Sequence, residues 1–276
     1  MKFKFAAVSL ISVLMTACGG GGDDGPKAPA SPPVAASSSP EGRWTSKGDN
    51  GVSTVMTVLE DGEIWSSYSR EEEIGHIHGS ASTEGDALTF KLMDANFVTR
   101  SIYEFDLNGA VTPQVSLQIK SGERLSQTLN YDRTYDQPAQ VEVLAGQYTG
   151  VAHSYSYKSS SNDSGVETAD SSKSTGGAST SIKFSDAEST VEISDKGEVT
   201  LTSDKDCSAS GTITPRATGK NVLDVAMVLK GSACLLEDGA NLKGIATYDA
   251  EAGKVRIQTL DESKAKGLSF TANKTK

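Results

Sequence analysis

The segment Gly75-His76-Ile77-His78-Gly79 holds two of the chain's three histidines, one residue apart. In a strand such residues share a face, about 7 Å apart along the backbone, so both imidazoles could reach one metal ion. Glu71, Glu72 and Glu73 stand just before and could supply oxygen ligands. No third ligand is fixed by spacing, and the remaining histidine, His153, lies in the other half of the chain. The alternative is a pair of solvated histidines on a strand. Trp65 and Tyr68 follow the turn at Gly62, with Trp44 nearby in sequence. Aromatic rings at the mouth of a barrel could stack on a sugar or another small ligand; otherwise they serve as core packing.

No catalytic signature accompanies these residues. The chain has no G-x-S-x-G, H-E-x-x-H, P-loop or Rossmann fingerprint, and paired carboxylates are too numerous to single out an acid–base couple. The reading is a non-enzymatic protein with no implied cofactor. The formal charge is −10. An acidic chain argues against nucleic acid as a partner, because phosphate binding needs clustered basic side chains.

The first 15 residues carry Lys2 and Lys4, then an apolar run from Phe5 to Met15. Thr16 and Ala17 follow, and Cys18 comes next. A positive start, a short apolar stretch and small residues before a cleavage point describe a secretory signal. The run is too short to span a bilayer, which takes about 20 such residues. With Cys directly after the cleavage point, the segment resembles the lipobox of bacterial lipoproteins, with Met15 where that family usually has Leu. The resemblance implies removal of residues 1–17 and acylation of Cys18. Gly19 after the cysteine implies, by the same resemblance, delivery to the outer membrane of a Gram-negative cell. Outer-membrane lipid is then a partner through the acyl anchor. Loss of Lys2 and Lys4 would lower the −10 charge to −12.

From residue 18 to 40 the chain is mostly Gly, Pro, Ala and Ser. Such a segment cannot bury enough apolar surface to offset the entropy of ordering, so it reads as a disordered tether. As a coil it would average roughly 25 Å end to end. Its CGGGG start also resembles that of some surface-exposed lipoproteins, in which a glycine tether lifts a β-rich body off the membrane.

With Cys18 assigned to lipid, Cys207 and Cys234 remain as an even pair and read as a disulfide in an oxidising compartment. Neither has a second Cys or His at zinc-ligand spacing, and C-x-x-C is absent.

The elements that position these residues are strands. Tyr103, Phe105 and Leu107 alternate with Glu104 and Asp106; Val115, Leu117 and Ile119 alternate with Ser116 and Gln118; Val255 and Ile257 flank Arg256. Period-two alternation gives one buried and one wet face. The halves also match each other. Gly42-Arg43-Trp44-Thr45 recurs as Gly146-Gln147-Tyr148-Thr149, and Asp61-Gly62-Glu63-Ile64 as Lys196-Gly197-Glu198-Val199. Gly79-Ser80-Ala81-Ser82 recurs as Gly211-Thr212-Ile213-Thr214, and Leu88-Thr89-Phe90 as Leu223-Asp224-Val225. A Ser-rich loop at 157–180 accounts for the longer spacing in the second half.

The expected fold is all-β: two similar antiparallel eight-stranded domains from an internal duplication, barrel-like or sandwich, at 41–138 and 141–276. A strand opening with Gly-x-Trp or Gly-x-Tyr before up-and-down hairpins resembles the lipocalin and avidin type of barrel, which implies a ligand cup. Eight-stranded barrels also occur in transferrin-binding and factor-H-binding surface lipoproteins, although their Gly-rich ending is missing here. The functional expectation is a lipid-anchored, outer-membrane binding or structural module whose partner is an envelope protein or a small ligand. The alternatives are a periplasmic inhibitor or toxin-neutralising lipoprotein, and an envelope-polymer hydrolase using His76, His78 or His153 beside an acid.

Overall fold

A computed structural model describes residues 39–48, 51–85, 87–122, 124–158 and 181–276. The signal segment 1–17, the lipidation candidate Cys18, nearly all of the 18–40 tether and most of the 157–180 loop lie outside the described residues.

The first half is a closed antiparallel barrel of eight strands in sequence order. These are β1 (Gly42–Lys47), β2 (Ser53–Val58), β3 (Glu63–Ser69), β4 (Glu73–Glu84), β5 (Ala87–Asn96), β6 (Ser101–Thr112), β7 (Ser116–Ser121) and β8 (Arg124–Tyr131). Closure comes from β1 on β8, where Trp44 pairs with Tyr131 and Thr45 with Asn130. Two short 3-10 turns, Arg133–Asp136 and Val141–Leu144, lead into the second half. There β9 (Gly146–Lys158), β10 (Ser181–Ile193), β11 (Glu198–Ser203), β12 (Ser208–Pro215), β13 (Leu223–Lys230), β14 (Asn241–Asp249), β15 (Lys254–Leu260) and β16 (Lys266–Asn273) form a second closed barrel, sealed by β16 on β9. Barrels, not sandwiches, are the outcome, although β1 meets β8 at two positions only and residues 101–107 of β6 have no partner in β7.

Alternation sorts the side chains as the sequence implied. Trp44, Met56, Ile64, Phe90, Leu117 and Leu129 fill the first barrel. Tyr148, Val191, Ile213, Val225, Ile257 and Phe270 fill the second. Each set is a single apolar cluster, and burying one such side chain contributes about 1.5–3 kcal/mol. The 3-10 turn residue Leu144 joins the second cluster.

The repeated sequence landmarks occupy equivalent places. Gly62 (φ 83°) and Gly197 (φ 79°) make the β2–β3 and β10–β11 turns, a left-handed conformation that glycine adopts without steric cost. In each turn the glycine carbonyl accepts from a strand N–H at 2.7 Å, that of Ala81 in one copy and Ile213 in the other. Trp44 Nε1 donates to the Pro40 carbonyl at 2.8 Å, and the Tyr148 hydroxyl donates to the Leu144 carbonyl at 2.7 Å. The same aromatic thus anchors the chain four residues upstream in both copies. Pro40, expected to end the tether, is buried through this contact and belongs to the body.

Other details depart from the sequence reading, and Tyr103, expected on a buried face, is 51% exposed. Strand β9 runs through Lys158, so Tyr157 lies in a strand and not in the Ser-rich loop. Val115 precedes β7 in a turn and is 60% exposed, so it does not share the buried face of Leu117 and Ile119. Cys207 and Cys234 form the expected disulfide. Cys234 and Leu236, in the β13–β14 connection, join the core of the second barrel and cover one of its ends.

Candidate functional site

Alternation along a strand defines two faces, and in β3, the first half of β4 (Glu73–His78) and the end of β5 near Ala95 both are largely buried. The inward face fills the first barrel. The outward face packs on the second, and Trp65, Ala95 and Phe97 form one cluster with Tyr155, Val222, Ile245 and Leu260. The two barrels therefore belong to one compact unit, Ser37–Lys276.

All three histidines sit in this interface. His76 is 1% exposed, with its ring stacked on Trp65 (5.9 Å between centroids, 14° between planes) and its edge toward Tyr155 of the second barrel at 6.0 Å. Neither of its ring nitrogens has a hydrogen-bond partner. Burial, with His78 nearby, pushes its pKa down to about 3, so the ring is neutral near neutral pH. His78 Nε2 lies 3.1 Å from Glu63 Oε1, which also accepts from Lys264 Nζ of the second barrel at 2.8 Å. The bond to His78, then the Lys264 charge, hold the Glu63 carboxyl down at about 2 against its partial burial. His153 Nδ1 is 2.8 Å from Asp186 Oδ1, and its ring stacks on Phe97 of the first barrel at 4.5 Å. Arg100 pairs with the other oxygen of Asp186, tying the barrels together again.

This placement bears on both readings of the histidine pair. The histidines are not solvated, since the second barrel covers the strand face that carries them. Nor do they gather a metal centre: among the described residues no group of three or more His, Cys, Asp or Glu side chains converges to hold an ion. Glu73, a potential oxygen donor, points elsewhere. It is buried, takes a 2.5 Å hydrogen bond from the Ser269 hydroxyl of β16, and leaves Oε2 unpartnered. Burial raises its pKa above the usual carboxylate value.

Trp65 and Tyr68 do not share a ligand site. Three positions apart on a strand, they lie on opposite faces. Trp65 faces the second barrel. Tyr68 faces the interior of its own barrel, where its hydroxyl donates to Asp94 at 2.9 Å and accepts from Asn96 Nδ2 at 3.0 Å. Burial pushes Asp94 up to about 6.

Polar contacts frame the interface. Gln258 Nε2 donates to the Ser66 carbonyl at 2.8 Å. The Arg43 guanidinium reaches the Asn221 carbonyl of the second barrel. Arg216 binds Glu60 across the interface at 2.8 Å and Asp224 within its own barrel at 2.5 Å. Beside this frame runs a groove of about 720 Å³. Its first-barrel wall is Glu63 and Trp65; its second-barrel walls come from β12, β13, β14 and residues 260–264. That volume suits a small ligand, and clefts where two domains meet are common ligand sites.

The interface was missed in the sequence reading because period-two alternation describes one core per barrel. A local signal did exist. Ile64-Trp65 and Ile245-Ala246 place apolar residues on consecutive strand positions, a pattern that suits burial of both faces. Comparison with known protein families finds no match to this chain, and comparison with curated proteins finds none either.

Proposed function

We propose that this chain is a lipid-anchored outer-membrane lipoprotein whose fused barrels act as a non-enzymatic binding or structural module of the cell envelope. The observation that carries the proposal is the order of parts: a basic–apolar signal ending at Cys18, a Gly- and Pro-rich tether, then a disulfide-bonded β body. A tethered body at a membrane serves by holding or contacting something there. Both barrel interiors carry large apolar side chains, which makes the outer surface and the inter-barrel groove the places for a partner. The histidines support the same reading, because His76 and His153 pack across the seam and His78 pairs with Glu63, which also binds Lys264 of the second barrel.

Mass spectrometry of the mature protein and fractionation of a Cys18→Ala variant test the anchor. The expected results are an acylated residue 18 as the new N-terminus and release of the variant from the membrane. An unmodified Cys18 would remove the anchor and with it the outer-membrane assignment. Protease shaving of intact cells then separates an outward-facing body, which is digested, from a periplasmic one, which is protected.

A further inference from the structure

The two copies differ at one strand edge. In the second barrel β15 pairs with β14 at every residue from Lys243 to Asp249, so only Asn241 and Leu242 lack a neighbour on that side. In the first barrel β7 pairs with β6 only from Asn108 to Thr112. Residues Ser101 to Leu107 are held by β5 alone, and among the described residues no other backbone hydrogen bond reaches them. Every second residue of an antiparallel strand turns its N–H and C=O away from a given neighbour, so this stretch presents a row of unused main-chain groups. Its pairing with β5 is regular, with neither a bulge nor a proline to blunt the edge. The end of the barrel beside it is open as well. In the second barrel the β13–β14 connection, residues 231–240, lays Cys234 and Leu236 on the core, and Leu242 is fully buried. The corresponding connection in the first barrel is only 97–100. Phe105, opposite Leu92 as Leu242 is opposite Met227, is half-buried, and Tyr103 on the same face is 51% exposed. The other face carries Glu104 and Asp106, both exposed and, among the described residues, in no ion pair.

We infer that the free edge of β6 docks an extended segment of a partner protein in which cationic and apolar residues alternate. The inference rests on the binding-module reading and names the class of partner. An added strand gains its affinity from main-chain hydrogen bonds and its specificity from alternate side chains. Beside Tyr103 and Phe105 it meets an apolar wall, and beside Glu104 and Asp106 it meets two unpaired carboxylates. Period two therefore asks for apolar and basic residues in turn. Ile102 packs into the seam and Arg100 pairs with Asp186, which holds the edge in place before anything binds and lowers the cost of association. A second copy of the chain fits less well. Antiparallel self-pairing about Glu104 sets two glutamates against each other, and like charges directly opposite are destabilising. The chain's own remaining segments fit no better, since residues 19–38 are rich in Gly and Pro and residues 159–180 hold three acids against one lysine.

The test uses the full mature chain in detergent and a short fluorescent peptide alternating lysine with valine, followed by anisotropy. The expected result is micromolar to millimolar binding that weakens about tenfold or more when alternate peptide nitrogens are methylated, and about tenfold or more in a Glu104→Lys/Asp106→Lys variant. A Glu84→Lys/Glu251→Lys variant makes the same change in charge at exposed sites elsewhere and is expected to bind as the parent does. Circular dichroism and thermal melting establish that both variants are folded. Absence of binding up to millimolar concentration overturns the inference, whereas the module reading stands or falls separately on acylation and fractionation at Cys18. Binding that tolerates the methylated peptide, or that both variants lose equally, is charge attraction to an acidic body and overturns it too. A dimer in sedimentation that the peptide disperses makes a second copy the occupant and overturns the partner class.

Discussion

His76 sets the sharpest quantitative test of the interface. Its imidazole is sealed between Trp65 and Tyr155 with both nitrogens unpartnered, and burial holds its pKa at about 3. In the unfolded chain the same ring titrates near about 6.5. As pH falls the unfolded chain takes up the proton first, so acid favours opening. The full contribution is present above about pH 6.5 and is lost progressively as the pH falls toward about 3. Each unit within that window costs about 1.4 kcal/mol, so acidification from about pH 7 to about pH 5 removes about 2 kcal/mol. Asp94, pushed up to about 6, and buried Glu73, also raised, act in the opposite sense and gain stability on acidification. The absolute pH profile is therefore a mixture, and the informative quantity is the difference from a His76→Leu variant. Leucine carries no unpaired donor or acceptor, so at neutral pH the variant is expected to match or exceed the parent. Urea unfolding followed by tryptophan fluorescence, at several pH values between about 7 and about 5, gives the comparison, with the difference growing by about 2 kcal/mol in favour of leucine. A difference that stays constant across that range would mean that His76 has a partner or reaches solvent, and the sealed-interface account would fall.

Three further outcomes follow from the packing. Replacing Cys207 and Cys234 together by alanine opens a loop spanning 27 positions and is expected to cost about 3.5 kcal/mol in the chain-entropy description, visible as a lower melting temperature; an unchanged melt would contradict it. Trp65→Ala removes a side chain only 3% exposed from the seam and is expected to cost about 3–5 kcal/mol. Limited proteolysis should then release separate barrels, and an intact, protease-resistant body would refute the role assigned to Trp65. Gly197→Ala forces a side chain onto φ 79° with its Cβ 2.0 Å from the Ile213 carbonyl oxygen, and a cost of about 1–3 kcal/mol is expected from equilibrium unfolding. No measurable loss would show that the β10–β11 turn can take another form.

The candidate site was only partly legible in the sequence. The residues singled out, Trp65, His76 and His78, do lie together, with their rings 4.8–5.9 Å from that of Trp65. Of the readings offered for Trp65, core packing matches its burial in the seam; what buries it was not legible, because a strand pattern gives the face a residue occupies but not what covers that face. Tyr68 shows the converse. Its separation of three from Trp65 already placed the two on opposite faces, and strand parity alone could have divided them. His153 joined the site across a long stretch of chain by stacking on Phe97, a contact that no local spacing encodes.

Alternating side chains, paired glycine turns and an even cysteine remainder were enough, from the sequence alone, to specify two similar eight-stranded β units and their disulfide. Those features are local or arithmetic: period two follows from strand geometry, and a left-handed turn needs glycine wherever it occurs. Only the tertiary structure decided that much of the outer face of β3–β5 would be buried on the second barrel, with His76 sealed inside and a groove left at the seam. That choice depends on complementary shape and charge between surfaces far apart in the chain, and the hydrophobic drive to join them has no direction that a single strand could record.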